Sequence, residues 1–279
     1  MWHDTVIWAI LVASSAAILA SAGAWDLRIR RVPDRHWALI SAIGVACSSL
    51  LASGYAPAVS VLAYAASSAL MAAYMLSERA PGMFVLPAAF IVSAWAYAET
   101  GYAGLLGPGI AFAAFLCMYA AGLIRGGADA KALMSLSLAF PAYPAVGGMP
   151  WIWPPSWPAE AFLCLPVSVL CLAAAFTAVP MALVGIVNAS HGRFGRRMFT
   201  EYPVSTRKAM SSFVWTLQDV EGGRVVRTPP SDDPGAIRRL EDMGVTTVQA
   251  TPMVPFVTFL AAGFAAAVAL GNPLFQLFR

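Results

Sequence analysis

Charge is what this sequence has least of. Asp, Glu, Lys and Arg make up 11% of its 279 residues, against about a quarter in soluble domains. Apolar residues reach 59% and mean hydropathy is +0.71, more than one water-soluble core can hide. A soluble enzyme, a disulfide-stapled secreted domain and a disordered chain are excluded on these grounds. The four cysteines, Cys47, Cys117, Cys164 and Cys171, lie in apolar stretches and form no CxxC pair. They read as small buried hydrophobes rather than metal ligands or disulfide partners. His3, His36 and His191 match no zinc spacing, and HExxH and GxSxG are both missing. No metal and no other cofactor is expected.

Long apolar runs are what the sequence does have. A helix of ~20 apolar residues crosses a ~30 Å hydrocarbon layer. Eight candidate segments run Thr5–Trp25, Trp37–Ser53, Pro57–Ser77, Met83–Ala98, Ala103–Ile124, Ala130–Val146, Ala161–Val187 and Pro252–Leu270. The fourth and sixth are short and rich in Pro, Gly or Ala. The first lacks the basic start of a secretory signal. An all-α polytopic membrane protein of about eight transmembrane helices is predicted. With the N-terminus outside, the cytoplasmic stretches are 26–36, 78–82, 125–131 and 188–251. They hold sixteen of the seventeen Lys and Arg residues, leaving only Arg279, as the positive-inside rule requires. The outer loop Gly147–Pro158 carries Trp151, Trp153 and Trp157. These suit interfacial anchors, with an aromatic substrate groove as the alternative.

Membrane helices 1–187 and 252–279 flank one hydrophilic stretch, 188–251. It reads as a small α+β cytoplasmic insert, with strands at Phe213–Leu217 and Val245–Val248, a helix at Ala236–Met243 and a turn run over Thr228–Gly235. Its nine basic and seven acidic residues make it no simple acidic trap.

Two acids stand apart. Asp26 closes the first segment and Asp129 opens the sixth, and the topology puts both at the cytoplasmic rim. Ionisable groups at the edge of hydrocarbon are costly and mark pathways or sites. Each also has a structural reading. Asp129 suits a helix N-terminus, whereas Asp26 sits at a helix C-terminus, where the dipole opposes it. Two carboxylates side by side suit aspartic proteolysis. One ionised group takes a proton from water as it attacks the scissile carbonyl, and the protonated one supplies a proton to the developing charge. Like charges in a low dielectric share one proton and titrate as a pair. Gly126 and Gly127 allow a bend and close approach of substrate backbone, or serve as a plain loop. Lys131 and Ser135 share a helix face, but a Ser–Lys dyad needs a desolvated amine, and Lys131 sits at the charged rim.

Three blocks in this order carry a resemblance. Trp25-Asp26-Leu27-Arg28-Ile29-Arg30-Arg31-Val32-Pro33-Asp34 resembles the Asp-x-Arg-x-x-x-(Ile/Val)-Pro block of the archaeal preflagellin and prepilin peptidases, which are GxGD-type membrane aspartyl proteases. Gly126-Gly127-Ala128-Asp129-Ala130-Lys131 is similar to their GxGD block, and Thr251-Pro252-Met253-Val254-Pro255-Phe256 to the Thr-Pro-x-x-Pro-(Phe/Leu) block before the last helix. Ala128 replaces the usual glycine, and two more spans separate the aspartates than in the shortest members.

The resemblance implies that Asp26 and Asp129 are catalytic and that Gly126, Gly127, Ala128 and Lys131 line the substrate. It implies removal of basic leader peptides from archaellin or type IV pilin precursors, whose hydrophobic helix lies in the bilayer. No N-methylation is expected, because the four-cysteine module of the bacterial enzymes is missing. The implied partners are the precursor and the lipid bilayer, not nucleic acid. Two rival classes remain open. A proton- or ion-coupled transporter would use the same acids but predicts an inverted repeat, and no internal repeat is visible. A non-catalytic scaffold would leave the paired acids unexplained.

Overall fold

The computed structural model describes residues 2–77, 84–152 and 164–271. Trp153, Trp157, Arg79, Arg279 and the start of the seventh segment lie outside the described residues. Within them the chain is mostly helical, and five helices are long and apolar enough to cross a membrane. They begin with α1 (Trp2–Ile29), α2 (Arg35–Ala52) and α3 (Ala58–Leu76), followed by α4 (Val85–Thr100), which is shorter. A 3-10 turn at Ala103–Leu105 runs into α5 (Gly107–Ala120), and together they form the fourth membrane-length stretch. After α6 (Gly127–Ala139), α7 (Leu165–Ser190) is the fifth. Small helices α8 (Thr206–Ser211) and α9 (Pro234–Asp242) precede the last helix, α10 (Phe256–Leu270).

Three of the eight expected segments thus fall short of membrane length as helices: α4, α6 and α10. The sixth departs most, because its helix has 13 residues, or about 20 Å. Pro141 ends it, since a residue before proline is pushed out of the α region, and Phe140 is extended there at φ −117°, ψ 90°. Cys117, expected to be buried, is exposed, whereas Cys47 is buried as expected.

Two compact units make up the chain: residues 1–174 with 256–279, and residues 175–255. In the first, α6 is the central element, buried from Ala130 to Phe140 except at Lys131 and packed by α2, α5, α3 and α10. A short helix at membrane depth is tolerable when protein rather than lipid surrounds it. Gly44 of α2 lets the α6 backbone in, because a Cβ there would lie 2.5 Å from both Cα and Cβ of Ala139. One turn on, the Ser48 hydroxyl donates to the Ala139 carbonyl at 2.8 Å. Helix α1 packs on α2 and α10. Its buried residues Ile7, Leu11, Ser15, Leu19, Ala22 and Asp26 recur every three or four positions, the stripe of one helix face.

The second unit holds a four-stranded antiparallel sheet in the order β1-β4-β2-β3. Its strands are β1 (Tyr202–Ser205), β2 (Val214–Glu221), β3 (Arg224–Ser231) and β4 (Thr247–Pro252). Val204, Val214, Ile237, Leu240, Val248 and Ala250 form its core. The first half of the expected turn over Thr228–Gly235 is instead strand, and Pro234 and Gly235 already begin α9. The chain reverses earlier, at Gly222 and Gly223 (φ +56° and +74°), the backbone a two-residue hairpin demands. Pro229 and Pro230 fit because β3 is an edge strand. Strand β1 and helix α8 were not expected from the sequence, β2 runs on to Glu221, and β4 starts at Thr247 rather than Val245.

Arg239 fastens α9 to the sheet, with Nε 2.9 Å and Nη2 2.7 Å from the two Asp219 oxygens and Nη2 3.1 Å from Asp233. The Arg239 hydrogen bonds hold the Asp219 carboxyl below its ordinary 3.8. Asp233 is lowered first by the Gly235 N–H and then by Arg239. A carboxyl lowered by folding adds stability above its ordinary range and loses it as pH falls through the lowered value. Arg239→Gln is therefore expected to return Asp219 toward 3.8 and to move Asp233 less. Carboxyl NMR titration reads both, and equal movement of the two would contradict the assignment.

Candidate functional site

Asp26 is the last residue of the buried stripe of α1 and is itself 8% exposed. Helix α1 runs on to Ile29 and closes at Arg30, whose φ of +57° ends the helix in the left-handed region. The dipole of α1 opposes a charge at Asp26, but another helix offsets it. The N–H of Val257, in the first turn of α10, donates to Asp26 Oδ2 at 3.0 Å, and the Thr258 N–H also points to this carboxylate. These are amides that a helix start leaves without partners, at the end of the dipole that favours an anion. The crossing is close because Gly23 has no side chain. A Cβ there would lie 3.2 Å from Thr258 Cα, and the Thr258 hydroxyl donates to the Gly23 carbonyl at 3.0 Å. The Arg30 guanidinium is within Coulombic range of Asp26.

Asp129 lies in the first turn of α6, half-buried. Gly126 is the N-cap, and the Asp129 carboxyl folds back over it into the volume that a Cβ on Gly126 would take. Gly127 is less constrained: a Cβ there would stand 3.6 Å from the Tyr119 hydroxyl, an ordinary contact. The Ala128 methyl packs on the core of this unit. Gly126→Ala is therefore expected to swing the Asp129 carboxyl away and lower any activity that depends on it, whereas Gly127→Ala leaves it in place. The comparison of the two variants under one assay tests this, and equal loss in both would contradict it.

The two sequence blocks meet. Lys131 Nζ pairs with Asp34 Oδ2 at 2.7 Å across 97 residues of sequence. Exposed pairs of this kind add about 0–1 kcal/mol, so it marks where the two blocks meet rather than fastening them. The turn carrying Asp34 is tied to α1 in two ways. His36 bridges the Pro33 carbonyl (3.0 Å) and the Ser21 hydroxyl (3.2 Å), and the Arg35 guanidinium lies over the Trp25 ring at 5.5 Å. Asp26 lies within Coulombic range of Asp129. A Ser–Lys dyad is disfavoured, since the Ser135 hydroxyl donates to the Lys131 carbonyl at 2.7 Å and the Lys131 ammonium is engaged by Asp34.

Sequence reasoning missed Val257, Thr258 and Arg30 as neighbours of Asp26, and Asp34 as the partner of Lys131. The Thr-Pro-x-x-Pro-Phe block was a signal for the first pair, since it marks where a helix with free N–H groups begins. Among the described residues no three His, Cys, Asp or Glu side chains gather as a metal site. Comparison with protein-family models finds no match, and comparison with curated proteins finds none either.

Proposed function

We propose that this chain is a membrane aspartic endopeptidase that removes leader peptides from archaellin or type IV pilin-like precursors, with Asp26 and Asp129 as its catalytic pair. The observation that supports this most is the electrostatic proximity of the two acids. Asp26 is buried and Asp129 half-buried, on separate helices, within Coulombic range, with their flanking blocks joined by Lys131 and Asp34. In this reading the site lies at the cytoplasmic rim, the N-terminus is outside, and α4, α6 and α10 complete eight segments within the bilayer. The sidedness of the basic residues favours that arrangement.

The chemistry follows from the pairing. In this scheme the two acids hold one proton between them. The ionised carboxylate removes a proton from water, whose oxygen attacks the scissile carbonyl. The protonated carboxyl donates to the carbonyl oxygen, and the tetrahedral intermediate collapses as the leaving nitrogen takes up a proton. Gly126, Gly127, Ala128 and Lys131 line the approach of the leader junction, and the precursor's hydrophobic helix stays in lipid. No metal takes part in this scheme. The test is to incubate the purified, reconstituted protein with archaellin and pilin precursors and to sequence the product. One new N-terminus, at the junction of basic leader and hydrophobic helix and carrying an unmodified amine, is expected. Intact precursors of both kinds would refute the reading.

A further inference from the structure

We propose that the cleft beside the end of α7, within the second unit, binds the headgroup of an anionic phospholipid. This goes beyond the protease reading and does not rest on it. Helix α7 has 26 residues and a most apolar window of hydropathy 2.3, of which 17% is buried inside the protein. Its surface is therefore left for lipid. At about 1.5 Å per residue it is longer than a hydrocarbon layer is thick, so its last turns reach the headgroup level.

The chain then folds back on those turns. Asn188, 2% exposed, donates through Nδ2 to the carbonyls of Met198 and Glu201, both at 2.7 Å. The Phe199 ring occupies the space a side chain on Gly185 would need. The fold-back leaves an open cleft of about 550 Å³ lined by Asn188, Arg193, Phe194, Arg196, Arg197 and Glu201.

Two features of this cleft point to one ligand chemistry. Arg197 pairs with Glu201 at 3.5 Å, but Arg193 and Arg196 form no ion pair among the described residues and are exposed. Guanidinium groups bind phosphate through paired N–H donors, and basic clusters next to a membrane helix attract anionic lipid. Phe194 is 76% exposed, apolar surface that the acyl boundary of a bound lipid would cover.

The experiment uses the full chain in detergent, with bound lipid counted by native mass spectrometry. The probes are phosphatidylglycerol, phosphatidic acid, phosphatidylcholine and inorganic phosphate. Phosphatidylglycerol and phosphatidic acid are expected to bind more tightly than phosphatidylcholine, and R193Q/R196Q to weaken both about tenfold with phosphatidylcholine unaffected. R238Q, an exposed arginine on α9 away from the cleft, leaves binding unchanged. Undiminished phosphatidylglycerol binding in the double variant, or equal loss in R238Q, overturns the site. Displacement of the lipid by equimolar inorganic phosphate assigns the cleft to a free anion and overturns the lipid. Equal binding of phosphatidylcholine overturns the anionic requirement.

Discussion

Asp26→Asn and Asp129→Asn are each expected to abolish precursor cleavage, by about 10³-fold or more, while the protein still inserts and folds. The structure makes Asn the informative substitution at position 26. Its side-chain oxygen still accepts the Val257 N–H that Asp26 accepts at 3.0 Å, so the joint between α1 and α10 survives while acid–base chemistry is lost. Asp26→Ala behaves differently. It leaves a buried N–H without its acceptor, at a cost of about 1–3 kcal/mol, and is expected to lower the melting temperature as well as activity. Cleavage assays on reconstituted variants, paired with thermal unfolding, separate the two roles. Cleavage retained in Asp26→Asn would reduce Asp26 to a cap on α10.

Gly44→Ala is expected to destabilise the helical unit strongly. Its Cβ would land 2.5 Å from the Cα of Ala139, and backbone on a central helix cannot turn aside as a flexible side chain does. Helices α2 and α6 must separate, which strains the Ser48–Ala139 hydrogen bond and loosens packing around Leu133 and Leu136, both fully buried. Overpacking of this kind costs about 1–3 kcal/mol. Because α6 also carries Asp129, processing should fall together with stability. Gly54→Ala, just past the end of the same helix, makes only an ordinary contact, 3.5 Å from the Leu51 carbonyl, and serves as the control. Similar melting temperatures for the two variants would show that the α2–α6 approach is less tight than described.

Much of the helical unit was legible because hydrophobic periodicity is a local signal. The stripe from Ile7 to Asp26 is written at three- and four-residue intervals, and helix starts and stops sit close to Pro57, Gly101 and Pro108. The sixth segment was misjudged for an instructive reason. Its apolar run continues past Phe140, but Pro141 and Pro144 stop a helix without making the chain polar, so hydropathy overstates its length. The hydrophilic insert was harder. Thr228–Gly235 has the composition of a turn, yet its first half, Thr228–Ser231, lies in an edge strand, because prolines are tolerated where one side of the ladder has no neighbour.

Composition and spacing by themselves determined the class: a multi-pass helical protein with two isolated acids and a small mixed insert. That much follows from the cost of exposing apolar side chains and burying charges, which each stretch of chain carries on its own. Tertiary structure alone decided what surrounds Asp26. Read along α1, its charge faces the wrong end of a helix dipole. In space, the first amides of a helix more than two hundred residues away are aimed at it. Hydrogen bonds and Coulombic contacts between distant residues depend on which helix ends the packing brings together, and no local pattern in the chain encodes that.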